Sequence, residues 1–175
     1  AHILARSARS LDIGMMQPGQ YFIYVADFGA FTSTSYTAHQ TMKKRFGHFA
    51  YILQAVKELP KIRSHHVKNT TESEVFEDDY IFGAVCNTRS IGGFIKLSPS
   101  EAQLDDGRFE LFLVKSPKSL GEFCRILYGV VSHKRDLDVI TFRHVKSVSF
   151  ESAEDIRWSL DGERGHEKAE TNIQT

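Results

Sequence analysis

From residue 60 onward the chain is divided into short strand-like runs, most of them separated by turn residues. The runs cover residues 62–69, 74–76, 80–86, 94–97, 109–114, 139–150, 156–160 and 169–173. Short strands at close, regular spacing are the pattern of a sandwich or a barrel. Most runs follow one another with no helix between them, so the sheets are expected to be antiparallel and packed face to face, not doubly wound. The expected class is mainly β (α+β), an antiparallel β-sandwich with two or three helices.

One helix is expected over residues 36–59. Phe46, Phe49, Ala50, Leu53, Val56 and Leu59 recur at helical spacing, Gly47 offers a break, and Pro60 ends the pattern. A second helix is expected with Ser116 as its cap and Pro117 in its first position. It would align Leu120, Phe123, Cys124, Leu127, Val130 and Val131 on one side. Near the start, apolar runs flank Gln17-Pro18-Gly19-Gln20, and Pro-Gly is a strong turn signal, so a β-hairpin is expected there.

At 175 residues, 41% apolar and 25% charged, the chain has the makings of one ordinary soluble domain. Lys plus Arg and Asp plus Glu are both 22, which weighs against nucleic-acid binding. No apolar run approaches the roughly 18 residues of a membrane span. Cys86 and Cys124 each sit in an apolar run and are expected to be core thiols in a reducing, cytoplasmic setting. The opening AHILARSARSLDIG reads as the end of a helix without an initiator Met, so a piece of a longer polypeptide is expected.

Two acidic turns carry the candidate chemistry. In LDDGRFELFLV, residues 104–114, Asp-Gly is a favoured two-residue hairpin turn. The same turn also suits a hard cation such as Mg²⁺, held by one of Asp105 and Asp106 together with backbone carbonyls. In DIRWSLDGERG, residues 155–165, Ile156, Trp158 and Leu160 alternate with Arg157, Ser159 and Asp161, as in a half-buried strand. It runs into a turn bearing Asp161 and Glu163, which is either a plain charged turn or a general base displayed at a strand end. Gly92-Gly93 lead into a strand-like run, not a helix, which excludes a phosphate-cradling loop. The histidines lack zinc spacing, and no nucleophile elbow GxSxG is present.

Taken in order, SLDIG with YFIYVADFG, then MKKRFGHFAYILQAVKEL, then NTRSIGGFIKLSPSEAQLDDGRFELFLVK, then WSLDGE resemble the C-terminal domain of the diacylglycerol kinase and sphingosine kinase superfamily. The likeness is strongest to the bacterial soluble lipid kinases and runs through most of the chain. It implies that residues 1–175 form a β-sandwich that receives the lipid in a two-domain enzyme. The other domain would carry the Gly-Gly-Asp-Gly-Thr motif that binds ATP, a motif this chain does not contain. The activity implied is ATP-dependent phosphorylation of a lipid hydroxyl such as that of diacylglycerol, with the chain alone inactive. The resemblance places a Mg²⁺ site on the Asp106 side chain with backbone oxygens of Gln103 and Arg108. It places the proton acceptor on Glu163, with Asp161 beside it.

The expected partners are the lipid substrate and the protein's own nucleotide-binding domain, with no nucleic acid. Transient contact with a membrane surface and a homodimer are compatible with this reading, and the expected place is the cytoplasm or the inner membrane face. The rival readings are a non-catalytic β-sandwich module that binds a lipid or a protein, and a kinase for another hydroxylated small molecule.

Overall fold

The computed structural model describes residues 8, 10–30, 62–91, 95–98, 102–132 and 138–175. The helix expected over 36–59 lies outside the described residues. Strands β1 (Gly14–Met16) and β2 (Gln20–Phe22) form the expected hairpin. They are followed by β3 (Val25–Gly29), β4 (His65–Thr71) and β5 (Val75–Cys86). A small ribbon, β6 (Ser90–Ile91) with β7 (Ile95–Lys96), precedes β8 (Phe109–Lys115). Helix α1 (Leu120–Ser132), β9 (Ile140–Val145), β10 (Ser147–Leu160) and β11 (Glu163–Gln174) complete the order. The fold is mainly β, with one helix among the described residues.

Several boundaries differ from the sequence pattern. The runs 74–76 and 80–86 are one strand, because Glu77, Asp78 and Asp79 keep the ladder with β4. Their carboxylates find partners on the surface in His66 and Lys115, so charge does not break the strand. The run 156–160 belongs to the same strand as 147–151, across an irregularity between Glu151 and Ile156. Helix α1 starts later than Pro117. Its cap is Ser119, whose Oγ accepts the Glu122 N–H at 3.2 Å. Ser116 instead donates its N–H to the Asp79 carbonyl at 2.7 Å, tying this segment to β5. Cys86 is buried as expected, but Cys124 is exposed on α1.

Among the described residues the main sheet runs β2-β1-β11-β10-β3-β5-β8-β9, and all its pairs are antiparallel. Strands β3 and β4 lie end to end in one lane between β10 and β5. The far halves of those long strands pair with β4 and the near halves with β3. The chain leaves this lane after Gly29, which pairs with Phe82, and re-enters it at His65, which pairs with Tyr80.

The sheet folds over on itself. Phe22 on β2 and Phe109 on β8 are distant in strand order, yet their ring centroids are 5.5 Å apart. Between the two layers lies an inner core that includes Met16, Phe22, Phe28, Phe109, Phe150 and Trp158. The Phe28 and Phe150 rings each approach Trp158 to 4.9 Å, edge on. A second core on the outer face joins Ala84, Cys86 and Phe112 to Ile126 of α1 and to Leu97 and Ala102. Strand β8 is buried on both faces, which is why FELFLV shows no alternation.

Candidate active site

One end of the sheet gathers the start of β3, the end of β5, the start of β8 and the β10–β11 turn. The register pairs Val25 with Cys86, Cys86 with Glu110, and Ala26 with Leu160. Both acidic turns lie at this end.

The β10–β11 turn is tight because Asp161 and Gly162 both adopt positive φ, 50° and 89°. That is the mirror-image turn for which Asp-Gly is preferred. The Asp161 carboxylate is turned onto the backbone. Its Oδ2 accepts the Ile23 N–H at 2.7 Å, and its Oδ1 accepts those of Tyr24 and Val25 at 2.8 and 2.9 Å. The Asp161 N–H donates to the Val25 carbonyl at 2.8 Å. Glu163 opens β11 opposite Leu160, and its side chain stands exposed at the rim.

The Asp105-Asp106-Gly107 turn is not a two-strand hairpin. It is a loop that feeds β8. Asp106 Oδ1 accepts the Arg108 N–H at 3.0 Å, a local side-chain turn. Gly107, at φ 70°, donates its N–H to Asp12 Oδ2 at 2.7 Å. Asp106, Asp105 and Gln103 are exposed.

Asn87 links the two turns. Only 1% exposed, it donates its Nδ2 to the carbonyls of Asp12 (2.8 Å) and Leu104 (3.2 Å). Its own N–H donates to the Tyr24 carbonyl at 2.9 Å, and Asp12 N–H bonds to Leu104 at 2.8 Å. A hydrogen-bonded frame therefore runs from Asp161 through residues 23–25, Asn87 and Asp12 to Gly107. Among the described residues no direct hydrogen bond or ion pair joins Asp106 to Asp161 or Glu163.

The donor set at Asp106 suits a hard cation. Carboxylate and carbonyl oxygens on an irregular turn are the ligands Mg²⁺ takes. Among the described residues no three His, Cys, Asp or Glu side chains converge on a metal position, so a cation here would depend on backbone oxygens.

Two further acids lie on the outer face. Burial pushes the Asp27 carboxyl up to about 6, against hydrogen bonds from Ser159 and from its own backbone. Burial likewise pushes Glu110 up to about 8, with Asp106 adding to the rise against a backbone hydrogen bond. Asp12, Asn87, Asp27 and Glu110 are absent from the sequence-based candidates. The available signal was an acid set inside an apolar run, as in VADFG and FELFLV. An open groove lined by Gln17, Pro18, Asp155, Lys168 and Glu170 includes no residue of either acidic turn.

Residues 28–172 match the family described as the YegS C-terminal NAD kinase beta sandwich-like domain. The chain belongs to this family. Among curated relatives of this family member, the diacylglycerol kinase of Bacillus subtilis (strain 168) is 33% identical over 160 residues, covering 90% of this chain and 52% of the relative. The diacylglycerol kinase of Staphylococcus carnosus (strain TM300) is 34% identical over 157 residues, covering 89% and 50%. The chain thus spans about half the length of the curated relatives it matches. A crystal structure of a diacylglycerol kinase from Bacillus anthracis str. Sterne superimposes with a TM-score of 0.61 at 19% identity, covering 99% of this chain and 53% of that one. That likeness supports the YegS-type fold.

Proposed function

We propose that this chain is the acceptor-side domain of an ATP-dependent lipid kinase, with Glu163 as the proton acceptor. The observation that carries the reading is the placement of both acidic turns at one end of the sheet on a single hydrogen-bonded frame. The names of the relatives support phosphorylation of a lipid alcohol such as diacylglycerol.

In the proposed reaction the lipid hydroxyl oxygen attacks the γ-phosphorus of ATP. Its proton passes to the Glu163 carboxylate, the bond from γ-phosphorus to the bridging oxygen breaks, and ADP leaves with that electron pair. Phosphoryl transfer of this kind depends mainly on positioning and charge neutralisation. Glu163 suits the role because it is exposed at the rim. Asp161 is a positioning residue, since its carboxylate is committed to the amides of residues 23–25. Asp106, with backbone oxygens of Gln103 and Arg108, would hold Mg²⁺, which supplies charge neutralisation and local rigidity when bound. ATP would be bound mainly by a nucleotide-binding domain beyond this chain, with both parts acting in the cytoplasm or at the inner membrane face.

The test is a phosphorylation assay with ATP, Mg²⁺ and diacylglycerol, run on the encoded full-length protein and on this chain alone. Phosphatidic acid from the full-length protein and none from the chain alone is expected. Turnover by the isolated chain would refute the division of labour, and no turnover by either would refute the lipid kinase reading.

A further inference from the structure

His65 and His66 open β4 and, as neighbours on a strand, point to opposite faces of the sheet. The His65 ring packs edge on against Phe28 of the inner core, with centroids 6.0 Å apart. Val67 is in the inner core, which leaves His66 and Lys68 on the outer surface. On β5, Asp79 is opposite His66 and Glu77 is opposite Lys68, while Tyr80 turns into the inner core. The four charged or titratable side chains therefore share one face of the strand pair.

Both ring nitrogens of His66 meet acids. Nδ1 lies 2.9 Å from Asp79 Oδ1, and Nε2 lies 2.8 Å from Glu77 Oε1. A neutral imidazole has a single N–H, so one of these contacts would set a ring lone pair against a carboxylate oxygen. An imidazolium donates to both. The other charged groups at this end have partners of their own. Lys68 pairs with Glu151 on β10 at 3.2 Å, Arg63 pairs with Glu154 on β10, and Asp78 pairs with Lys115 on β8 at 2.7 Å. The bonds to Glu77 and then to Asp79 hold the His66 pKa above its ordinary 6.5, against desolvation. The Asp79 carbonyl also accepts the Ser116 N–H at 2.7 Å, which joins this anchor to the segment entering α1.

We infer that His66 is a pH-operated latch between β4 and β5. As an imidazolium it bridges Asp79 and Glu77 and clamps the end of β4 at which the chain re-enters the sheet. When the proton leaves, one of the two bonds is lost, and two acids on one face no longer have a cation between them. A group whose pKa is raised on folding adds stability that is fully present below its unfolded value and is lost as pH rises through its folded value. The latch is therefore closed at pH 6.5 and below, and opens as pH climbs through the raised value. This inference is independent of the lipid kinase reading.

The test uses the encoded full-length protein. The His66 ring signals are followed through a pH titration by nuclear magnetic resonance, and are assigned by their loss in His66→Gln. A midpoint above 6.5 is expected in the parent, with a downward shift when Glu77→Gln and Asp79→Asn are combined. Hydrogen–deuterium exchange of the β4 amides, corrected for the intrinsic effect of pH, should lose about two- to fivefold of its protection between about pH 6 and about pH 8.5. Glu110 also titrates in this range, at about 8, and comparison with His66→Gln removes its share. His66→Gln should show the lower protection at both pH values, and His66→Lys, a cation throughout, the higher protection at both. A midpoint at or below 6.5, a midpoint unmoved in the double variant, or the same loss of β4 protection in His66→Gln as in the parent overturns the latch.

Discussion

Asp161 and Asp27 lie close together at one end of the sheet, yet their surroundings differ. The Asp161 side chain accepts three backbone N–H donors. Hydrogen bonds to a charged group are worth about 1.5–3 kcal/mol each before solvent exposure reduces them. Asp161→Ala is therefore expected to lower the unfolding free energy by about 2 kcal/mol, read from urea melts, with Asp161→Asn in between. Asp27 is raised from 3.8 to about 6 by burial, so the folded state keeps its proton where the unfolded state has lost it. Its contribution to stability then falls as pH rises from about 4 to about 6, by at most about 1.4 kcal/mol per pH unit, and is flat above. Asp27→Asn should remove that fall, measured as the urea midpoint at about pH 4 and about pH 6.5. None of this was legible from the sequence. The partners of Asp161 lie 136 to 138 positions away, and an acid in an apolar run does not say which face it occupies.

Short apolar runs and the turn residues between them carried most of the fold at the level of elements. The hairpin at Pro18-Gly19 was readable from its turn residues, the strand leading to Asp161 from alternation, and β8 from an unbroken apolar run after a turn. What failed was the use of charge and capping residues as boundaries. Glu77-Asp78-Asp79 stays in β5 because cross-strand cations meet its carboxylates. Ser116 lost the cap to Ser119 because its N–H was drawn to Asp79. Packing between elements adds a further constraint at Gly83 on β5, where a Cβ would lie 2.2 Å from the Phe28 ring and 2.9 Å from Leu113. Gly83→Ala should push Phe28 off Trp158 and cost about 1–3 kcal/mol, seen as a lower denaturation midpoint with a changed near-ultraviolet signal from the chain's one tryptophan.

At the scale of the whole molecule, the folded-over sheet supplies a stiff rim on which two acidic turns are set by one hydrogen-bonded frame. If Asp106 holds Mg²⁺, binding adds to folding, by about 2.7 kcal/mol at a hundredfold excess over Kd. Added Mg²⁺ should raise the melting temperature of this chain by several degrees, and Asp106→Asn should abolish the rise. The central claim is that Glu163 takes the proton from the lipid alcohol. Its most direct measurement is steady-state turnover of the full-length protein carrying Glu163→Gln. The account predicts a fall in kcat of about a hundredfold or more, with the lipid KM within about twofold of the parent. An unchanged kcat in a folded Glu163→Gln protein would contradict it.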